Sequence, residues 1–188
     1  MQPVILVLAL VGIAIAAWRL SRQRRRASAA LKAAAAADPF WNEEALQKQV
    51  ANLFEPYWRA VAGRNIAPVA DKLTTYWHAN LARGLAQWRA DGVKPVMYQI
   101  AFMGAQVIGL EDWLADERDQ VTLLVDARTA YHATDTRRGE VVEGTIGERT
   151  EQQLWQFVRG ESDWLLNRVV LVGGSHAFSG CHVIRETC

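Results

Sequence analysis

The stretch "EQQLWQFVRGESDWLL", Glu151–Leu166, places two Trp-bearing apolar runs on either side of the polar break Arg159–Asp163. Short runs rich in aromatic and branched residues, separated by a few polar residues that include Gly, are typical of a β-hairpin. The sequence therefore predicts two paired strands here, the second of which continues to Val172.

The first strand of this hairpin has one face that changes character along its length. Glu151, Gln153, Trp155 and Phe157 occupy alternate positions and therefore share a face. That face is polar at its Glu151 end and aromatic at its Phe157 end. Such a gradient is expected of a sheet that runs from an open mouth to a closed core.

Two further long strands precede the hairpin. In "QVTLLVDARTAYH", Gln120–His132, alternate residues form an apolar side that ends at Tyr131. The opposite side carries Thr122, Asp126, Arg128 and His132. Met97–Trp113 predicts the strand before it, with a bend at Gly104 or Gly109.

Helices are predicted ahead of the strands. Apolar residues recur at three-and-four spacing from Asn42 to Ala62, where Gly63 ends the helix. A brief element follows between Asn65 and Leu73, and Thr74 or Thr75 caps a third helix that carries Trp77 and Trp88. About three helices followed by four long antiparallel strands predict an α+β domain, with the helices packed on one face of a curved sheet.

The N-terminus begins with the uncharged apolar run Val4–Trp18. Counted with Pro3 and Leu20 it reaches about 18 residues, near the lower limit of roughly 17 for a membrane span, so residues 1–20 are predicted to be a transmembrane anchor. A cleaved signal peptide is the alternative, because Ala14–Ala16 resembles a cleavage site. Signal peptides carry their basic residues before the apolar run, whereas here they follow it, which predicts an outer N-terminus and a cytoplasmic body.

Residues 21–37 form a basic, Ala-rich segment that predicts a helical stalk. Its basic residues suit either a topogenic signal or the binding of anionic lipid headgroups. The candidates for headgroup contact are Arg19, Arg22, Arg24, Arg25, Arg26 and Lys32. Asp38 and Pro39 supply an N-cap and a first helical residue, so the folded domain is predicted at 38–172, followed by a tail at 173–188.

Charge separates the two parts of the chain. Residues 1–37 contain six basic residues and no acidic one, which leaves the rest with fifteen basic and twenty acidic residues. A mildly acidic body argues against nucleic-acid binding, which needs clustered positive charge. Cys181 and Cys188 are the two cysteines, so the sequence lacks the disulfide framework of small secreted domains.

Local signatures of chemistry are weak. The sequence contains no Gly-rich nucleotide loop, no HExxH and no CxxC. "GGSHA", Gly173–Ala177, lacks the last Gly of a nucleophile elbow, and His176, Cys181, His182 and Cys188 match no zinc spacing that we can name. We therefore predict no catalytic residue, no metal and no cofactor.

An apolar pocket is the remaining site class. Asp126 and His132 lie on the polar side of their strand and only Tyr131 points inward, so the acid–base pair of a pocket enzyme is not predicted. Most of the Trp residues fall on core faces, but some are expected to line an apolar pocket at the mouth of the sheet. The candidates for the pocket lining are Tyr57, Trp58, Trp77, Trp88, Tyr131 and Trp155.

The helical front followed by "DTRRGEVVEGTIGERTEQQLWQFVRGESDWLLNRV", Asp135–Val169, resembles the Tim forty-four-like domain family. The resemblance covers roughly residues 42–170 and rests on the "GEVVEG" loop, the strand ending in "LWQFVR" and the "DWLL" return. It implies a cone-shaped domain of the nuclear-transport-factor-two-like superfold, with helices packed into a strongly bent sheet and a pocket at the open end. It also implies a location at a membrane and partner binding. The anchor, and the lack of a long segment that recruits a chaperone, depart from the mitochondrial member.

These features together predict a non-catalytic binding or scaffold protein with a single-pass anchor in a bacterial inner membrane. The domain is expected to engage a protein partner, an anionic lipid, or both; partner identity and homo-oligomerisation stay open. One alternative is a small-ligand carrier or pocket enzyme, which an Asp or His inside the cavity would indicate. Another is an assembly factor similar to those of secretion systems, whose domain lies outside the cytoplasm. A reporter fused to the C-terminus separates this alternative from the cytoplasmic scaffold.

Overall fold

The computed structural model describes the backbone of residues 2–144, 146–172 and 183–185. Within these ranges it also describes the side chains, except at 2–11, 13, 16, 183 and 185. Helices precede strands along this chain, and both share one principal hydrophobic core. The predicted α+β class is confirmed.

One curved sheet contains all the strands of the described chain. Its strands are β1 (Val93–Asp112), β2 (Gln120–Asp135), β3 (Val141–Gly144), β4 (Arg149–Arg159), β5 (Trp164–Leu171) and β6 (Val183–Arg185). The spatial order is β5-β4-β2-β1-β6, and β3 pairs with the far end of β2. The four long strands β1, β2, β4 and β5 pair antiparallel, as predicted. The hairpin predicted at Glu151–Leu166 consists of β4 and β5.

Irregular pairing bends the sheet. The register between β1 and β2 shifts at three places, between Met97 and Gln99, between Phe102 and Gly104, and between Val107 and Gly109. Each extra residue in one strand increases its local twist and bend. The bends predicted near Gly104 and Gly109 are therefore confirmed, and they let the sheet curl around the helices.

The helices are α1 (Gln2–Ala37), α2 (Glu43–Ala62) and α3 (Thr75–Ala90), with short 3-10 helices at Pro39–Trp41, Ala67–Lys72 and Asp116–Arg118. Their caps follow the sequence. Asp38 accepts a hydrogen bond from the Phe40 amide at 2.9 Å, and Thr74 Oγ1 accepts one from the Trp77 amide at 3.1 Å. These bonds satisfy donors that the first helical turn leaves free, so the predicted helix starts at Asp38 and Thr74 are confirmed.

The Ala-rich end of α1 belongs to the main core. Ala27, Leu31 and Ala34 recur at helical spacing and are almost completely buried, and α1 lies against β1. The helical conformation predicted for residues 21–37 is confirmed, but the interpretation of this segment as a stalk outside the folded domain is wrong. Alanine side chains let a helix approach a sheet closely, so a face that looks too small to build a core still excludes water from one.

The outer face of the sheet has its own small apolar cluster. Ile108, Leu124 and Leu154 are buried there, and Leu20 of α1 packs against them.

His132 was expected on a polar face, but it is only 6% exposed. The Tyr98 ring packs against it with a centroid distance of 5.6 Å and an interplanar angle of 38°, and strand β3 pairs beside it, which explains why this side chain is buried.

No helix in the part of the chain that the structure describes is both long and apolar enough to span a membrane. The predicted transmembrane anchor at residues 1–20 falls largely on side chains outside that part. It therefore has no support in the structure.

The predicted tail, residues 173–188, also lies largely outside the described residues. This applies to the whole "GGSHA" stretch and to His176, Cys181, His182 and Cys188. Only β6 of this segment is described, and it pairs parallel to the end of β1.

Candidate functional site

An aromatic cavity of about 370 Å³ lies between α2, α3 and the open end of the sheet. Its aromatic walls are Tyr57, Trp58, Trp77, Trp88 and Tyr131. Val61, Leu81, Met97, Val169 and Leu171 add aliphatic surface, and Glu143, Arg149 and Glu151 add charge. Cavities lined mainly by aromatic and apolar groups, with a few polar groups at fixed positions, are the usual form of ligand sites.

Five of the six aromatic residues that the sequence indicates as pocket lining are brought together in this cavity. The exception is Trp155, which is fully buried. Its ring packs against Phe54, Tyr57 and Phe157, at centroid distances of 5.5, 5.2 and 6.2 Å. Trp155 therefore lies behind the cavity wall. It is two inward-facing positions beyond Glu151, which lines the cavity, toward the closed end of the sheet.

The inward face of β4 has the polarity gradient predicted for it. Trp155 and Phe157 are fully buried in the core, whereas Arg149 and Glu151 line the cavity. Gln153 lies between them and is itself fully buried. The mouth of the cavity therefore coincides with the polar end of the strand.

Gln153 connects the aromatic core to the charged mouth. Its Oε1 accepts hydrogen bonds from Trp155 Nε1 at 2.8 Å and from Trp58 Nε1 at 3.3 Å. Its Nε2 donates to Glu151 Oε1 at 2.7 Å, and Glu151 forms an ion pair with Arg149 at 3.1 Å. A buried amide with its donors and acceptors satisfied in this way fixes the side chains around it.

The two tyrosines of the cavity are held in their neutral form. Burial raises the pKa of Tyr57 well above its ordinary value. Burial also raises the pKa of Tyr131, and the nearby Glu143 carboxylate adds to this shift, while Arg149 opposes it. Both hydroxyl groups therefore remain protonated near neutral pH, as hydrogen-bond donors rather than bases.

Sequence reasoning missed the charged part of the lining. Arg149 and Glu151 could have been found, because they continue the inward face of β4 by alternation. Glu143 gave no such signal. It belongs to the four-residue strand β3, whose residues are all exposed, and only the pairing of β3 with the end of β2 brings it to the cavity.

The basic residues proposed for lipid contact lie along α1. Arg19, Arg22, Arg25, Arg26 and Lys32 are exposed. Arg24 is not equivalent to them, since it is half-buried and its Nε has no hydrogen-bond partner among the described atoms. Its place on the same helical face as Leu20 and Leu31 explains this difference.

A larger groove of about 680 Å³ runs along the other side of α2, up to the β4–β5 turn. It has fewer aromatic residues, and three of its four charged residues pair with one another, since Lys72 contacts Asp163 at 3.2 Å and Asp71 at 3.6 Å. Among the described residues, no group of three or more His, Cys, Asp or Glu side chains could hold a metal ion. The aromatic cavity is therefore the better candidate site.

No family model matches this sequence, and no curated protein is significantly similar to it. Among solved structures, the chain is similar to the crystal structure of the intermembrane space region of chloroplast protein ARC6. The match has a TM-score of 0.47 and 11% sequence identity, and it covers 68% of this chain and 97% of the other.

Proposed function

We propose that this protein is a non-catalytic binding module that holds a partner in the aromatic cavity. The observation that carries this proposal is the convergence of Tyr57, Trp58, Trp77, Trp88 and Tyr131 on one cavity. Aromatic side chains supply large contact areas at a low entropic cost, and they dominate the energetics of many binding sites. The resemblance to the Tim forty-four-like family points to the same role.

The state of the polar groups also favours binding over catalysis. Neither tyrosine is available as a base, because the pKa of each is raised. Glu151 is engaged by Arg149 and Gln153, which holds it as a structural carboxylate. A general base must be free to accept a proton from a bound substrate, and the carboxylate that remains at this mouth, Glu143, lies on the exposed strand β3.

Crosslinking in native membranes followed by mass spectrometry tests the binding role. We expect the wild-type chain to capture a defined partner, and the Trp88→Ala variant to capture about tenfold less of it, as is usual when an aromatic anchor is lost. Trp113→Ala is the matched control, because it removes a half-buried indole outside the cavity. Equal capture by all three proteins would contradict the proposal.

We also propose that the N-terminal part of α1 attaches the protein to a membrane, on the cytoplasmic face of a bacterial inner membrane. Gly12, Ala14, Ile15, Ala17 and Trp18 are all exposed, and the last of them is 60% exposed. The Arg22 guanidinium lies over its indole ring at 5.5 Å. Exposed Trp next to basic residues is typical of the membrane–water interface.

Vesicle binding tests this attachment. Replacing Arg22, Arg25 and Arg26 with Gln is expected to weaken binding to phosphatidylglycerol-containing vesicles by about a hundredfold at low salt, since each basic residue near an anionic surface contributes roughly 1 kcal/mol. The control replaces the exposed Arg137, Arg138 and Arg168 with Gln, which changes the net charge equally. Loss of binding in both variants, or in neither, would contradict a specific role for α1.

A further inference from the structure

We infer that the cavity receives an organic cation, namely the side chain of a lysine or arginine of a partner protein. This inference rests on the proposed binding role of the cavity and names the chemistry of its occupant. Two features carry it: the arrangement of the aromatic rings, and a carboxylate at the same mouth.

Neighbouring rings of the lining are inclined to one another and do not stack. The Tyr57 and Trp58 centroids lie 5.3 Å apart with their planes at 80°, and the Trp58 and Tyr131 centroids lie 6.3 Å apart at 49°. Trp77 and Trp88 continue the wall from α3. The faces of aromatic rings carry negative potential, and a cation within about 6 Å of several rings is attracted to each of them.

The charge of the lining favours the same occupant. Glu143, Glu151 and Arg149 are the charged residues of the cavity. Arg149 pairs with Glu151, so one negative charge remains in excess. The Glu143 carboxylate is close enough to raise the pKa of the Tyr131 hydroxyl, which places negative potential at the ring. An anionic ligand, such as a lipid phosphate, would be repelled from this mouth.

The backbone around Gly144 holds Glu143 in place. Gly144 has φ +77° and pairs with His132, and a Cβ atom there would lie 2.5 Å from the Tyr131 carbonyl oxygen. Only glycine accommodates both that dihedral angle and that close approach. Strand β3 can therefore lie directly against β2, which brings the Glu143 carboxylate to the Tyr131 side of the cavity.

Apolar surface beside the rings suits the stem of such a side chain. A second cavity of about 230 Å³ shares Val61, Trp77, Leu81 and Trp88 with the first. Lysine and arginine carry several methylene groups before their charge, and these groups are stabilised against apolar surface. A compact inorganic cation would leave this space unfilled.

Binding of small probes to the full chain tests the inference. The probes are the blocked amino acids Nα-acetyl-lysine methylamide and Nα-acetyl-arginine methylamide, the neutral carbon analogue of the first, and phosphocholine as a lipid headgroup. Affinities are measured by titration of the indole N–H resonances. We expect both cations to bind, and the neutral analogue to bind about tenfold more weakly, which is the size of a desolvated cation–π contribution.

The Glu143→Gln variant separates charge from shape. It should weaken binding of the cations about tenfold, while leaving the neutral analogue unaffected. Glu140→Gln is the matched control, because Glu140 is exposed just before β3 and lies outside the cavity lining. Thermal denaturation of each variant confirms that the fold is retained.

Several results would overturn the inference. These are equal affinity for the cation and its neutral analogue, no effect of Glu143→Gln, no binding of either cation, or tighter binding of phosphocholine than of the blocked amino acids. The proposed function fails by a different result, namely partner capture that does not depend on Trp88. Cavity-dependent capture without cation preference would therefore remove this inference alone.

Discussion

Replacing Arg159 with leucine is expected to lower the free energy of unfolding by about 3 kcal/mol. The guanidinium of Arg159 pairs with Asp38, with Asp116 at 3.1 Å and with Asp119 at 3.0 Å. It also lies over the Phe40 ring at 4.2 Å. One side chain thus joins the end of β4 to the residue that follows α1 and to the β1–β2 turn.

Asp119 is the reason for the large effect. It is only 1% exposed, and its Oδ1 accepts a hydrogen bond from the Trp113 amide at 2.8 Å. Removing the guanidinium leaves this carboxylate buried without its counter-charge, which costs far more than the loss of a surface ion pair. Urea denaturation measures the change. The control is Lys72→Met, which removes the exposed pair with Asp163 and should cost less than about 1 kcal/mol.

The pH dependence gives an independent check. Burial raises the pKa of Asp119 above its ordinary value, although the Trp113 amide and Arg159 oppose the shift. A raised carboxyl pKa stabilises the fold below the unfolded-state pKa, and this stabilisation is lost as pH rises through the folded-state pKa. Without Arg159 the upward shift of the Asp119 pKa grows. The loss of stability of the Arg159→Leu variant, relative to the wild type, should therefore be largest near pH 7 and smaller below about pH 4.

Asp38 responds in the opposite direction. Burial raises its pKa, but the Phe40 amide and Arg159 outweigh that effect and lower it overall. Its stabilising contribution is therefore present above the unfolded-state pKa and is lost as pH falls through the folded-state pKa, so it also reduces the deficit of the variant in acid. A deficit that is independent of pH, or one no larger than that of Lys72→Met, would contradict this account of the cluster.

The elements that sequence predicts well are those set by local pattern. The alternation in Gln120–His132 and the helix caps at Asp38 and Thr74 depend on neighbours within a few residues, so they survive in the fold. The Ala-rich end of α1 could not be assigned in this way. Whether Ala27 and Ala34 face solvent or a sheet depends on β1, which is distant in sequence, and alanine carries too weak a hydrophobic signal to decide it.

The residues of the candidate site also differ in whether a local sequence pattern predicts them. Tyr57, Trp58 and Tyr131 are predictable because each lies on the apolar face of a regular helix or strand, and these faces converge at the open end of the sheet. Glu143 is not predictable, because a short exposed strand shows no periodicity. Trp155 lies on the inward face, as predicted, but too far from the mouth to line the cavity. Alternation shows which side of a sheet a residue faces and not how far it lies from the mouth.

That difference in depth leads to the second large effect. Trp155→Ala is expected to lower the free energy of unfolding by about 4 kcal/mol, the usual cost of truncating a buried Trp. The ring is fully buried, so its removal leaves a cavity between Phe54, Tyr57 and Phe157. It also takes one hydrogen-bond donor from the buried amide of Gln153, which in turn orients Trp58 and Glu151 at the candidate site.

Two further variants separate packing from hydrogen bonding in this measurement. Trp155→Phe keeps most of the ring and loses the N–H group, so it should cost about 1 to 2 kcal/mol. Trp88→Ala truncates a half-buried wall of the cavity, so it should cost less than Trp155→Ala while reducing ligand binding more directly. If Trp155→Ala unfolds no more easily than Trp88→Ala, then Trp155 belongs to the ligand-facing wall and its assignment to the core is wrong.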